Sequence, residues 1–205
     1  MNAFGHAVAA SWERDEAPFL LGAMLPDLAG LIGGRVAEPR DELIALGLRH
    51  HHRVDDCFHE LPGFRDWWRE WQAGMESAGL RRHQARAASH VAIELFLDGE
   101  LARHHAGVHE RALGEARERE EPGWRVQPRS SWDELVVRLH EDGAPHHLRE
   151  ASVVTRRTAG ALGRRARLRL EPGEEQALGG WLQARVPEAQ DRAPLLAEEL
   201  QAALG

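Results

Sequence analysis

The chain reads as all-α, a single-domain helical bundle, on three observations. Apolar residues recur at helical spacing through most of its 205 residues, the strict alternation of a half-buried strand is missing, and Pro and Gly pairs punctuate the periodic stretches. At that length one domain spanning 1–205 can bury a substantial core, and no internal repeat implies a solenoid.

Within 18–32, the residues Phe19, Leu20, Leu21, Met24, Leu25, Leu28 and Leu31 predict two short helical pieces, broken or kinked at Pro26 with Asp27 at the break. After Gly33 and Gly34, Asp41 begins a helix reaching about Glu60. Pro62 and Gly63 separate it from a helix carrying Trp67, Trp68 and Trp71, read as core. The segment 82–103 holds Val91, Ile93, Leu95, Phe96, Leu97 and Leu101 and leaves little polar face, as a central buried helix does. Farther on, 111–121 is a charged helix or loop, and Pro122, Gly123 and Pro128 mark a connection. Ser131 with Glu134 has capping-box spacing and predicts a helix to about His140. Two more helices are expected over 155–170 and 174–186, with Gly173 and Pro187 near the limits of the second.

Composition excludes several kinds of chemistry. All 26 basic residues are arginine, so lysine Schiff bases and phosphate-loop lysines are out, and no glycine-rich nucleotide fingerprint is present. Cys57 is the sole cysteine, which rules out an intramolecular disulfide, a thiolate zinc cluster and a CxxC redox pair; any metal takes nitrogen and oxygen ligands. A net charge of −7 argues against general affinity for nucleic acid, although local arginine patches can bind an acidic partner. With no apolar run near the ~20 residues of a membrane span and no basic region leading into an apolar signal core, a cytoplasmic protein is expected.

The polar residues of the first half carry the functional signal. His51, Asp55 and His59 fall one helical turn apart, and His90, Glu94 and Asp98 repeat the spacing in a more apolar stretch. Side chains at i and i+4 share a helix face about 6 Å apart, within reach of one divalent cation, and two such helices packed face to face can enclose a metal pair. The triple histidine at 50–52 offers a second register, His52 with Asp56. His51 lies seven residues from both Ile44 and Phe58 and shares their inward face, whereas His52 and Asp56 align with Arg49, Arg53 and Glu60. His6, Asp27, His51, Asp55, His59, His90 and Glu94 all fall on apolar faces or at helix breaks, where imidazoles and carboxylates are costly without a cation or mutual pairing. His59, about 12 Å along the axis from His51, suits a second metal. Asp98, followed by Gly99, either ends the helix or joins the ligands.

The opening run from Met1 to His6, the segment from Leu21 to Asp27, and Gly47, His51, Arg53, Val54 and Asp55 followed by Leu61 and Pro62 resemble the acyl carrier protein phosphodiesterase family. The resemblance covers roughly residues 1–105. It implies a helical fold related to HD-domain phosphohydrolases, a divalent metal held by His6, Asp27, His51 and Asp55, and release of phosphopantetheine from acyl carrier protein. Where that family has Thr-Asp this chain has Phe58 and His59, and where it has Asp-x-x-x-Asp-His this chain has His90, Glu94 and Leu95. Those positions resemble instead zinc-dependent phospholipase C.

The expectation is a metal-dependent phosphodiester hydrolase using one or two of zinc, manganese or iron, with two cations about 3.5 to 4 Å apart activating a bridging water. Asp55 is a ligand on which turnover depends, and Arg53 either neutralises the phosphate or forms a surface ion pair with Asp56 or Glu60. Six arginines over 156–169 either dock an acidic protein such as acyl carrier protein or form a solvated face. A metal-binding module without turnover and a helical interaction protein are the rival readings.

Overall fold

A computed structural model describes residues 1–36, 39–118 and 129–205, which form eight α-helices with no strand among them. The helices are α1 (Ala3–Ser11), α2 (Ala17–Leu31), α3 (Glu42–Glu60), α4 (Pro62–Ser77), α5 (Arg82–Glu118), α6 (Arg129–Asp142), α7 (Ala151–Gly163) and α8 (Pro172–Leu204). No described helix is long and apolar enough to cross a membrane. Packing divides the chain into two compact units, each drawn from separated segments. The first comprises Met1–Phe58 and Leu101–Pro145, the second His59–Glu100 and His146–Ala203, with α3 and α5 contributing to both.

In the first unit α2 runs unbroken through Pro26, where a break or kink was expected, so Asp27 sits within the helix. A mid-helix proline costs about 3 kcal/mol. Phe19, Leu20, Leu21, Met24, Leu25 and Leu28 are all nearly fully buried along α2, and each contributes about 1.5–3 kcal/mol, so burial outweighs the lost hydrogen bond. The start of α3 agrees with expectation: Asp41 Oδ1 accepts from the backbone N–H groups of Leu43 at 2.9 Å and Ile44 at 3.1 Å.

The second unit is organised by aromatic packing. Pro62 opens α4 as its first residue, whose missing N–H is no loss there. Trp67 and Trp71 meet edge-on at 5.2 Å, and Trp71 in turn meets Trp181 of α8 at 5.1 Å and Phe96 of α5 at 5.9 Å. The Trp71 indole N–H donates to Glu188 Oε1 at 2.9 Å, so this cluster is core with the polar edge of Trp71 satisfied.

Several helix ends differ from those the residues predict. α5 continues past Asp98 and Gly99 to Glu118, departing from helical geometry only at His105. Gly99 is there for space: a Cβ would lie 2.7 Å from the Leu148 carbonyl carbon and 2.8 Å from the Arg149 nitrogen, so it admits a 3-10 turn (His146–Arg149) against α5. Ser131 lies inside α6, which begins at Arg129, so it does not cap that helix. The connection at Pro122, Gly123 and Pro128 lies outside the described residues. α7 begins four residues before Thr155 and ends at Gly163. α8 starts with a reciprocal Glu171–Glu174 capping box and runs through Pro187 and Pro194 to Leu204. Its buried seam of Leu178, Leu182, Ala189, Ala193, Leu196 and Leu200 keeps near-heptad spacing through both prolines, with Pro187 on the exposed side.

Replacing Gly99 by Ala should destabilise the protein by about 1–3 kcal/mol, since the added methyl meets backbone that cannot rotate away. Gly30→Ala on α2, with nothing within 4 Å, should leave stability unchanged or raise it by up to about 1 kcal/mol. Urea midpoints distinguish the two, and a wild-type midpoint for Gly99→Ala would show that the turn at Leu148 yields freely.

Candidate metal centres

The first unit gathers His6 of α1, Asp27 of α2 and His51 of α3, one ligand atom from each lying within 4.8 Å of the others. Donors around a tetrahedral zinc lie about 3.3 Å apart, given metal–nitrogen bonds near 2.0 Å, so a modest contraction closes the set on a cation. α1 brings His6 in on a helix whose Ala7, Val8, Ala9 and Ala10 are buried with it. His6 is itself fully buried. Its ring stacks on that of His51, with centroids 3.8 Å apart.

Asp55, one turn beyond His51, borders the group. Its Oδ1 lies 3.1 Å from His6 Nε2 and 3.0 Å from the Met1 α-ammonium, and its Oδ2 lies 3.7 Å from His51 Nε2. His6 Nε2 is also 3.9 Å from Asp27 Oδ2. The 3.1 Å approach is off the axis of a hydrogen bond, and neither ring nitrogen of His6 has an aligned partner. Asp55, taken from the sequence as buried, is 35% exposed.

Burial dominates the electrostatics of the rings. It lowers His6 to about 3 against the opposing Asp55 contact, and it lowers His51 too. Burial pushes the Asp55 carboxyl up, but contact with His6 and the α-ammonium outweighs it and holds the group below its usual range. Imidazoles kept neutral beside an ionised carboxylate are in the protonation state a cation requires.

The register predicted for α3 is the one observed. His51 is buried, while His52 and Asp56 face solvent. Sequence reasoning missed His50, which is also buried, edge-on to Phe19 at 5.3 Å with Nε2 3.6 Å from Glu13 Oε2. Burial lowers it to about 4. Its signal was present: His50 is three residues past Gly47 and four before Val54, both buried on α3. Arg53 is exposed and pairs with Glu13, not with Asp56 or Glu60.

The second unit gathers His59 at the end of α3 with His90 and Glu94 of α5. His59 Nε2 and His90 Nε2 are 3.3 Å apart, and Glu94 Oε1 lies 2.9 Å from His90 Nε2 and 3.8 Å from His59 Nε2. Phe64 meets both imidazoles edge-on, at 5.6 Å and 5.4 Å, and Trp68 meets His90 at 5.4 Å. Burial pushes the Glu94 carboxyl up, yet the two histidines help hold it well below its usual range. Asp98, buried one turn farther along α5, is not among the three converging donors.

The arginines at 156, 157, 164, 165, 167 and 169 are all exposed, and none forms an ion pair among the described residues. Arg156 also lines an open groove of about 610 Å³ between α7 and α8, with Ser152, Gln176 and Gln183. No protein-family model, curated protein or solved structure matches the chain.

His51→Ala should lower the melting temperature of the metal-loaded protein and its metal affinity by at least about tenfold, whereas His52→Ala should behave as wild type. The reverse order in titration calorimetry would assign the ligand to the other register.

In the metal-free protein, stability should fall as pH drops from about 6.5 toward 4. Unfolded histidines take up protons near 6.5, while His6 and His50 stay neutral in the fold down to about 3 and 4, so acid favours the unfolded chain across that window. Each contributes up to about 1.4 kcal/mol per pH unit. The depressed Asp55 carboxyl acts in the same sense, but only below its unfolded value of 3.8. Urea midpoints flat between pH 7.5 and 5 would show these rings charging freely inside the fold.

Proposed function

We propose that the protein is a divalent-metal-dependent phosphodiester hydrolase. The observation that carries the reading is the second donor set, in which His59 Nε2, His90 Nε2 and Glu94 Oε1 lie 2.9 to 3.8 Å from one another. Three protein donors leave a coordination position for water or substrate, as catalytic sites do and closed structural sites do not. His59 and His90 are 37% and 29% exposed, so that position is approachable. His6, Asp27, His51 and Asp55 would hold a cation in the first unit. Imidazole-rich sets favour zinc, iron or manganese over magnesium. A cation so bound supplies Lewis acidity to a phosphoryl oxygen and lowers the pKa of water toward neutrality.

The chain's own residues supply the rest. Phe64 and Trp68 wall the His90 ring and restrict its orientation, with the Trp68 indole N–H fixed on the Arg86 carbonyl at 2.9 Å. Arg53 would engage a phosphate by exchanging the Glu13 carboxylate for it, one anion for another. The phosphodiester class rests on the sequence resemblance to acyl carrier protein phosphodiesterases and zinc-dependent phospholipase C. The narrower form, release of phosphopantetheine from acyl carrier protein, is supported by the six exposed arginines of α7 and the turn after it, a segment of 151–170 with no acidic residue.

Purified protein should carry at least one zinc, manganese or iron per chain and hydrolyse bis-p-nitrophenyl phosphate. His90→Ala and Asp55→Ala should each lower kcat/KM by about 100-fold or more. Chelation should lower the melting temperature, because carboxylates and imidazoles lose the cation they share. Charge reversal at Arg156, Arg157 and Arg164 should impair turnover of holo-acyl carrier protein and spare the small substrate. Metal-loaded protein inert toward both substrates would replace the hydrolase by a binding module, and protein that takes up no metal would end both.

A further inference from the structure

In the first unit α2 and α3 touch through their backbones at two glycines. A Cβ on Gly22 would lie 2.4 Å from the Ile44 carbonyl oxygen, and one on Gly47 would lie 2.2 Å from the Phe19 carbonyl oxygen and 2.9 Å from the Ala23 nitrogen. Real side chains do not occupy such distances, and the atoms met are backbone, which cannot rotate away. The contact therefore exists only because neither position bears a side chain.

One residue after Gly22 and four after Gly47, the contact delivers a specific hydrogen bond. His51 Nδ1 lies 2.9 Å from the Ala23 carbonyl oxygen. A carbonyl only accepts, so Nδ1 carries the proton, and in the neutral ring Nε2 carries the lone pair. Nε2 is the nitrogen 3.7 Å from Asp55 Oδ2.

We propose that Gly22 and Gly47 are positioning residues for the first metal centre, setting the Ala23 carbonyl against His51 so that the ring is locked in the tautomer presenting Nε2 to the cation. The proposal rests on the metal reading of His6, Asp27, His51 and Asp55. A free imidazole exchanges between two tautomers and rotates about two bonds; the carbonyl removes the wrong tautomer and the flipped ring together, and the stacked His6 ring holds the plane. Partners of this kind alter metal affinity about 10- to 100-fold when lost. The two contacts are also specific to these glycines, since Gly30, on the same helix, meets nothing within 4 Å.

Nitrogen-15 NMR of the metal-free wild-type protein at pH 8 reads the tautomer directly, and zinc titration of the same sample reads the liganding atom. His51 should be protonated at Nδ1, and zinc should shift Nε2. Gly47→Ala and Gly22→Ala should bind zinc about 10- to 100-fold more weakly and show a mixed His51 tautomer at wild-type helix content, with Gly30→Ala unchanged. A ring protonated at Nε2 in the metal-free wild type would overturn the proposal without any variant having to fold. A ring protonated at Nδ1 that zinc leaves unshifted would overturn the metal reading beneath it, and wild-type zinc affinity in both glycine variants would overturn the role of the contact.

Discussion

Backbone contact between α2 and α3 is the constraint on which the first unit depends. Two helices whose axes are separated by side chains pack through ridges and grooves and leave their carbonyls to their own hydrogen bonds. Here Gly22 and Gly47 remove the intervening side chains, so a main-chain oxygen of α2 becomes a fixed acceptor for a side chain of α3. That arrangement lets two stacked imidazoles sit in an apolar interior. Each is kept neutral by burial, so no charge has to be desolvated, and the polar atoms that remain are directed at carboxylates 3.1 to 3.9 Å away. The opposite face of α3 holds exposed residues such as His52, and the helix interior between is filled by Ile44, Val54 and Phe58.

The second unit solves a different problem, an ionised carboxylate in aromatic surroundings. Glu94 is only 10% exposed, and a lone buried carboxylate would normally take up a proton. Contacts with His59 and His90 help reverse that tendency. Both rings are themselves met edge-on by Phe64, and His90 by Trp68 as well, residues that α4 supplies because Pro62 starts it directly after α3. Precise side-chain geometry therefore comes from packing against rigid rings here, and from a backbone carbonyl in the first unit. Both leave Nε2 atoms near a carboxylate.

Much of this was legible in the residues, and the failures have a common cause. Helix class, the Asp41 cap and the burial of His51 rather than His52 follow from short-range periodicity and are found as read, whereas the spacing groups His59 with His51 and Asp55 and the fold sets it beside His90 and Glu94. Breakers were over-read. Pro26, Gly99 and Pro187 all lie inside continuous helices, because seams of buried apolar side chains on either side outweigh one lost hydrogen bond, and because Gly99 serves close approach by another segment. The partners of Arg53 and His51 were out of reach for a related reason. Glu13 is 40 residues from Arg53, and the Ala23 carbonyl is 28 residues from His51 and belongs to the main chain, so no residue type marks it. His50 was passed over because one heptad argument selected a single position, although the buried arc of α3 is wide enough for two adjacent histidines.

The choice between a cation site and a self-contained polar network turns on which lone pairs face each other. In a network every acceptor meets a donor. In the first unit, His51 spends its only proton on Ala23, so the nitrogen directed at Asp55 is a lone pair facing an ionised oxygen, which repels. His6, also neutral, reaches 3.1 Å from the same carboxylate without hydrogen-bond alignment. A divalent cation would meet the His51 Nε2 lone pair and the neighbouring carboxylate together, which is the physical ground of the metal reading proposed above.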